Sequence, residues 1–161
     1  MQNQAGSRTG VFISTKEHRR FIEFADSVRK HRYIGLCHGP AGVGKTLSAR
    51  RYARWDKAEA LITGWGPRHP SDHVIYAALA RSRSVFYTPT VKITLQEIRK
   101  TLPQLISCTD SSIHEHVGPD TVIQDPHREN HVQLVIIDEA ERLNDTVLEY
   151  LRDLYDRSGI G

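Results

Sequence analysis

The stretch Gly39-Pro40-Ala41-Gly42-Val43-Gly44-Lys45-Thr46 constrains this chain more than any other, because it fills every defined position of the pattern G-x-x-x-x-G-K-[ST]. Its glycines allow a tight turn in which successive backbone N–H groups converge on one point. There the β-phosphate of a triphosphate can rest against the N-terminus of the following helix. Lys45 is placed to reach the β- and γ-phosphates, and the Thr46 hydroxyl to ligate Mg²⁺. The loop needs a strand before it and a helix after it. Tyr33-Ile34-Gly35-Leu36-Cys37 is a short apolar run that suits a buried parallel strand, and Lys45 to Trp55 reads as the helix.

A length of 161 residues is enough for one sizeable core but not for two. With 39% hydrophobic and 25% charged residues the composition is that of an ordinary globule, which excludes wholesale disorder. The net charge of +3 and a pI near 9.0 fit a nucleic-acid partner but are too mild to argue for one. Residues 1–13 read as a flexible polar leader without the apolar core of a secretory signal. No apolar run approaches a membrane span, so a cytoplasmic protein is expected. Cys37 and Cys108 lack C-x-x-C spacing and are expected as reduced thiols.

Ser14-Thr15-Lys16-Glu17 has the form of a capping box with Ser14 as the cap. It should open a helix that carries Phe21, Ile22, Ala25 and Val28 on one face through about Lys30. Val11-Phe12-Ile13 suits a hydrophobic staple better than the floor of an adenine pocket. Arg50, Arg51 and Arg54 suit a solvated face better than a DNA contact. Gly64, Gly66, Pro67 and Pro70 punctuate the stretch from Lys57 to Pro70, which reads as loop. Ser84 to Thr88 is β-prone and closed by Pro89. Thr94-Leu95-Gln96-Glu97 opens a further helix that Pro103 should kink or end. Cys108 to His131 is rich in Asp, Ser and Pro. Cys108, His114 and His116 invite a zinc site there, but their spacing matches none, and an exposed loop is expected.

A second element completes the first. Leu134-Val135-Ile136-Ile137 is an aliphatic strand that ends in Asp138-Glu139. A buried parallel strand sets Asp138 at its C-terminal end, the edge at which α/β sheets bind ligands, and there its carboxylate can hold Mg²⁺. Glu139 can polarise a water in line with the γ-phosphate as a general base. Asn144 or Asp145 should cap the next helix, with Val147, Leu148, Leu151, Leu154 and Tyr155 as its apolar stripe and Gly159 as its C-cap.

With GPAGVGKT, the lead-in Tyr33 to Cys37, the strand and proline turn Val85 to Pro89, and LVIIDEAERL at Leu134 to Leu143, the chain resembles the AAA+ ATPases of transposons. These are the group of TniB, TnsC and the Mu B protein, within the ASCE class of P-loop ATPases. The resemblance covers most of 14–161. It implies a three-layer αβα sandwich on a parallel sheet of strand order 5-1-4-3-2, of which strands 1 to 3 are expected here. The sensor-1 strand, the arginine finger, strand 5 and the helical lid are expected to be missing, so that 14–161 reads as the N-terminal part of the ATPase domain. Gly159-Ile160-Gly161 looks like the entry to the fourth strand, between those at Tyr33 and Val132. The resemblance further implies ATP and Mg²⁺ as ligands, ATP-dependent homo-oligomerisation on double-stranded DNA, and handover of a target site to the transposase of the same element. Residue by residue it implies Lys45 for the phosphates, Thr46 and Asp138 for Mg²⁺, and Glu139 for hydrolysis, which the chain alone would perform weakly or not at all. Thr88 is a candidate sensor of Glu139, and Lys92, Arg99 and Lys100 are candidate DNA contacts. Two alternatives stay open: a DEAD-type helicase core, whose motifs begin in the same way, and a catalytically dead nucleotide-binding or interaction fragment.

Overall fold

The structure, a computed structural model, describes residues 12–118 and 130–161. Its elements in chain order are α1 (Lys16–His31), α2 (Lys45–Tyr52), α3 (Trp55–Thr63), α4 (His73–Ser82), β1 (Ser84–Tyr87), α5 (Leu95–Val117), β2 (Leu134–Ile137) and α6 (Asp145–Ser158). Two 3₁₀ turns lie at Pro70–Asp72 and Ala140–Arg142.

β1 and β2 pair in parallel, Ser84 opposite Leu134 through Tyr87 opposite Ile137. Parallel neighbours need a long crossover, and α5 supplies it. All of β1 is buried, with α2 and α5 packed against it. Val85, Ile98, Leu102, Ile113, Val132 and Val147 are almost wholly shielded and make one core with Ile62 of α3 and Leu79 of α4. Apolar burial of this kind, at about 25 cal/mol per Å², is what holds so small a sheet between its helices.

The apolar run at Tyr33–Cys37 is not a strand, which corrects the expectation from sequence. Residues 33–40 have no strand assignment, and Tyr33, Ile34 and Leu36 are 57%, 69% and 77% exposed. An extended segment becomes a strand only when a neighbour takes up its backbone groups, and among the described residues none lies beside it. The segment runs along α1 instead. Tyr33 N–H donates to the Val28 carbonyl at 3.1 Å, and Gly35 lies so close to α1 that a Cβ would stand 2.6 Å from both Phe24 and Val28. The sheet therefore has two strands among the described residues rather than three. At the edge of β2 away from β1, Gly161 donates to the Gln133 carbonyl at 3.1 Å and accepts from Val135 N–H at 2.8 Å.

Other expectations shift by smaller amounts. Thr15 caps α1 instead of Ser14, its side chain accepting from His18 N–H at 3.1 Å. α2 ends at Tyr52, because Arg54 turns into the left-handed region at φ 58° and starts α3. The loop expected over 57–70 begins only at Gly64: Trp55, Ala58 and Ile62 fall on one face and make α3 a helix. α4, to which sequence patterning assigned nothing, buries Tyr76, Ala78 and Leu79. Pro103 lies inside α5, which continues to Val117, so the stretch from Cys108 is helix there rather than loop. Buried Ile98 and Leu102 before the proline and Leu105 and Ile106 after it hold both halves to the core. Thr94, Asn144 and Gly159 cap as their residue types require, Gly159 at φ 62°.

Candidate functional site

Gly42 and Gly44 adopt φ of 81° and 84° in the loop before α2. A Cβ at either would meet nothing within 4 Å, so the demand for glycine is one of backbone conformation rather than of space. Gly44 is the N-cap of α2 and offers no side-chain acceptor, so the first N–H groups of the helix stay open toward the loop. The Lys45 ammonium donates to the carbonyls of Gly39 and Pro40, both at 2.8 Å, and so is turned toward the loop it follows.

The parallel ladder runs one residue beyond β2: Asp138 N–H donates to the Tyr87 carbonyl at 2.9 Å, which anchors the acid at the C-terminal end of the sheet. Its Oδ2 accepts from the Thr46 hydroxyl at 2.8 Å, a contact between residues 92 positions apart. Thus the phosphate-type loop and the strand-end acid form one site. α2 carries Thr46 there by burying Ala49, by lodging the carbonyl of its C-cap Ala53 on the Ser82 hydroxyl at 3.2 Å, and by setting the Arg50 guanidinium over Phe86 at 5.3 Å. Arg50 is further held by Asp56 at 2.8 Å and Glu59 at 2.6 Å, so it belongs to packing rather than to the solvated face expected of it. The separation of the two halves is set by α2 packed on β1.

Glu139 follows Asp138 in a left-handed conformation, φ 52° and ψ 43°. Its carboxyl hydrogen-bonds to that of Glu141 and is pushed above the usual carboxylate range by that bond and by the Glu141 charge, against the pull of Arg142. Glu141 is pushed down, first by its own backbone N–H and then by its bond to Glu139, with Arg142 and Lys45 acting in the same direction. Arg142 pairs with Glu139 at 3.6 Å and donates from Nη1 to the Pro89 carbonyl at 2.9 Å. Sequence reading held Glu141 and Arg142 within the motif LVIIDEAERL but gave neither a role, and their signal there was proximity to the acidic pair.

The sequence profile of an AAA domain matches residues 28–161. The chain belongs to the AAA domain family. This AAA domain is 34% identical over 154 residues to a Staphylococcus aureus protein called "Potential ATP-binding protein", an overlap of 92% of the chain and 56% of the relative. The chain thus spans about half the length of that relative. No solved structure matches it. Helices around a parallel sheet, with a glycine loop between residue 39 and α2, make an α/β P-loop fold.

Several candidates of the AAA domain lie apart from this centre. Thr88 is exposed, and among the described residues its side chain makes no hydrogen bond to Glu139. Lys92 and Lys100 are exposed, while Arg99 lies over Tyr150 at 5.5 Å. Phe12 meets His18 edge-on at 4.6 Å and carries Arg51 at 4.7 Å; with Thr15 as the cap this is not the N′-to-N4 contact of the staple expected there. Cys108 is buried in α5, and burial pushes its thiol up. His114 Nδ1 faces His131 Nε2 at 3.3 Å, and the described residues contain no group of three metal-ligating side chains. Nor is any helix among them long and apolar enough to cross a membrane.

Proposed function

We propose that the chain is the nucleotide-binding part of an ATPase that acts in DNA transposition, binding ATP at Gly39 to Thr46 and hydrolysing it through Glu139 when the active assembly is complete. The observation that carries the nucleotide site is the 2.8 Å hydrogen bond between Thr46 and Asp138, which joins the two motifs a triphosphate needs. The name of the Staphylococcus aureus relative supports ATP as the nucleotide. The transposon role rests on the resemblance of the two motifs and the strand between them.

Binding draws on residues already aimed at the loop. The open N–H groups of Gly42, Val43 and Gly44 would receive the β-phosphate at the positive end of α2. Lys45 would exchange the Gly39 and Pro40 carbonyls for β- and γ-phosphate oxygens. The Thr46 hydroxyl and the Asp138 carboxylate are hard oxygen donors on one spot, the donor set that suits Mg²⁺, whose charge offsets that of the phosphates. In hydrolysis Glu139 accepts a proton from the attacking water as the water oxygen bonds to the γ-phosphorus and the bond to the ADP oxygen breaks. Double-stranded DNA, further copies of the chain and a transposase would be the partners.

The test is a nucleotide titration with a phosphate-release assay on the complete active assembly, in the presence and absence of double-stranded DNA. Lys45→Ala should abolish ATP binding. Glu139→Gln should keep binding within about three-fold while turnover falls by roughly 10²-fold or more, the loss expected of a missing general base. Tight binding by Lys45→Ala would remove the loop from its role, and unchanged turnover in Glu139→Gln would remove the acid from its own.

A further inference from the structure

We infer that Arg142 is a positioning residue that ties Glu139 to the turn after β1, so that occupation of the nucleotide site and the conformation of residues 88–94 are coupled. This rests on the reading of the centre as a nucleotide site, but its first observable does not.

The arrangement is a two-point bridge. One guanidinium nitrogen, Nη1, donates to the Pro89 carbonyl at 2.9 Å, and the other, Nη2, faces Glu139 Oε2 at 3.6 Å. Pro89 is fully buried, so its carbonyl depends on a partner within the protein, and a buried acceptor without one is costly. Arg142 reaches both groups because Ala140–Arg142 is a 3₁₀ turn closed by Arg142 N–H on the Glu139 carbonyl at 3.0 Å. The turn in its turn depends on the left-handed backbone of Glu139, a strained conformation for a residue with a side chain. A planar fork with donors on two nitrogens suits such a bridge, and a lysine ammonium does not reproduce it.

The other end of the bridge is a segment exposed at its centre and anchored on either side by buried Pro89 and Ile93. Pro89 leads into Thr90, Val91 and Lys92, all exposed, and Val91 is 76% exposed. The segment is tied at Thr90, whose hydroxyl donates to Glu97 Oε1 at 3.2 Å, and at Thr94, which caps α5. Any shift of Glu139 toward a bound γ-phosphate changes its distance from Arg142 and so loads the carbonyl at the root of this segment. Thr88, the expected sensor, has no such link to Glu139 among the described residues.

Hydrogen exchange measured by mass spectrometry on the whole chain tests the bridge, with peptides over 88–98, whose hydrogen-bonded amides are those of Glu97 and Ile98 on Thr94, without nucleotide and with saturating Mg²⁺ and a non-hydrolysable ATP analogue. Without nucleotide, Arg142→Ala should speed exchange of those amides by at least about five-fold, because the carbonyl at the root of the segment loses a charged donor. Arg142→Lys should recover only part of that protection. With nucleotide, the wild type should change its exchange in 88–98, and Arg142→Ala should not, while its affinity for the analogue stays within about three-fold. Wild-type exchange in Arg142→Ala without nucleotide would overturn the bridge. An equal nucleotide response in both proteins would overturn the coupling. A wild type that binds no analogue would overturn the nucleotide reading and with it the coupling, while the exchange comparison without nucleotide still decides the bridge.

Discussion

Replacing Thr46 by valine removes one hydroxyl and keeps the shape of the side chain, so it isolates the contact that joins the two halves of the site. In the free protein the loss is the 2.8 Å hydrogen bond to Asp138. Hydrogen bonds to charged groups contribute roughly 1.5–3 kcal/mol when shielded, but Thr46 is exposed, and screening brings the expected loss to about 1 kcal/mol or less. For a chain of this size that lowers Tm by roughly 2–4 °C. The larger effect is on the metal. A ligand at a hundred times its Kd stabilises the folded state by about 2.7 kcal/mol, a rise of roughly 5–10 °C on the same scale. Part of that rise should require Mg²⁺ in the wild type. Differential scanning fluorimetry with ATP, in Mg²⁺ or in a chelator, reads both quantities. Thr46→Val should lose the Mg²⁺-dependent part of the shift, and Thr46→Ser should keep it. A valine variant with the wild-type Tm and the wild-type Mg²⁺ dependence would show that the Thr46–Asp138 contact plays no part in holding the site or its metal.

Gly35→Ala places a methyl 2.6 Å from Phe24 and Val28, and overpacking of this kind costs about 1–3 kcal/mol. The expected result is a Tm lower by roughly 2–12 °C together with weaker nucleotide binding, since the displaced segment leads directly into the loop; an unchanged melting curve would refute the close approach. The His18 imidazole is held below its ordinary value of 6.5, first by burial and then by the Arg51 charge. A folded-state value below the unfolded one means that the unfolded chain binds the proton more readily. Stability from this group is therefore full above about pH 6.5 and falls as pH drops from there toward the folded-state value. In Tm measured from pH 7.5 to pH 5, His18→Gln should show a shallower acid decline than the wild type, and a decline of equal slope would remove His18 as its source.

The elements legible in the sequence are those whose cause is local. Gly42 and Gly44 are needed for their own backbone angles, Asn144 and Gly159 cap α6 through their own atoms, and the aliphatic run Leu134 to Ile137 ends in an acid whatever lies beside it. The glycine loop, β1, β2, Asp138 and α6 could therefore be placed from residue types and spacing alone. What only the tertiary structure decided depends on a neighbour from elsewhere in the chain. Tyr33–Cys37 has the composition of a strand but finds no backbone partners and lies along α1. α3 and α4 exist because Trp55, Ile62 and Leu79 meet the core that α5 and β1 build. The bridge from Arg142 to Pro89 spans 53 positions and leaves no periodic trace. The same holds at the centre of the site. The sequence contained a loop and an acid as separate motifs, and it is α2 packed on β1 that brings Thr46 within 2.8 Å of Asp138.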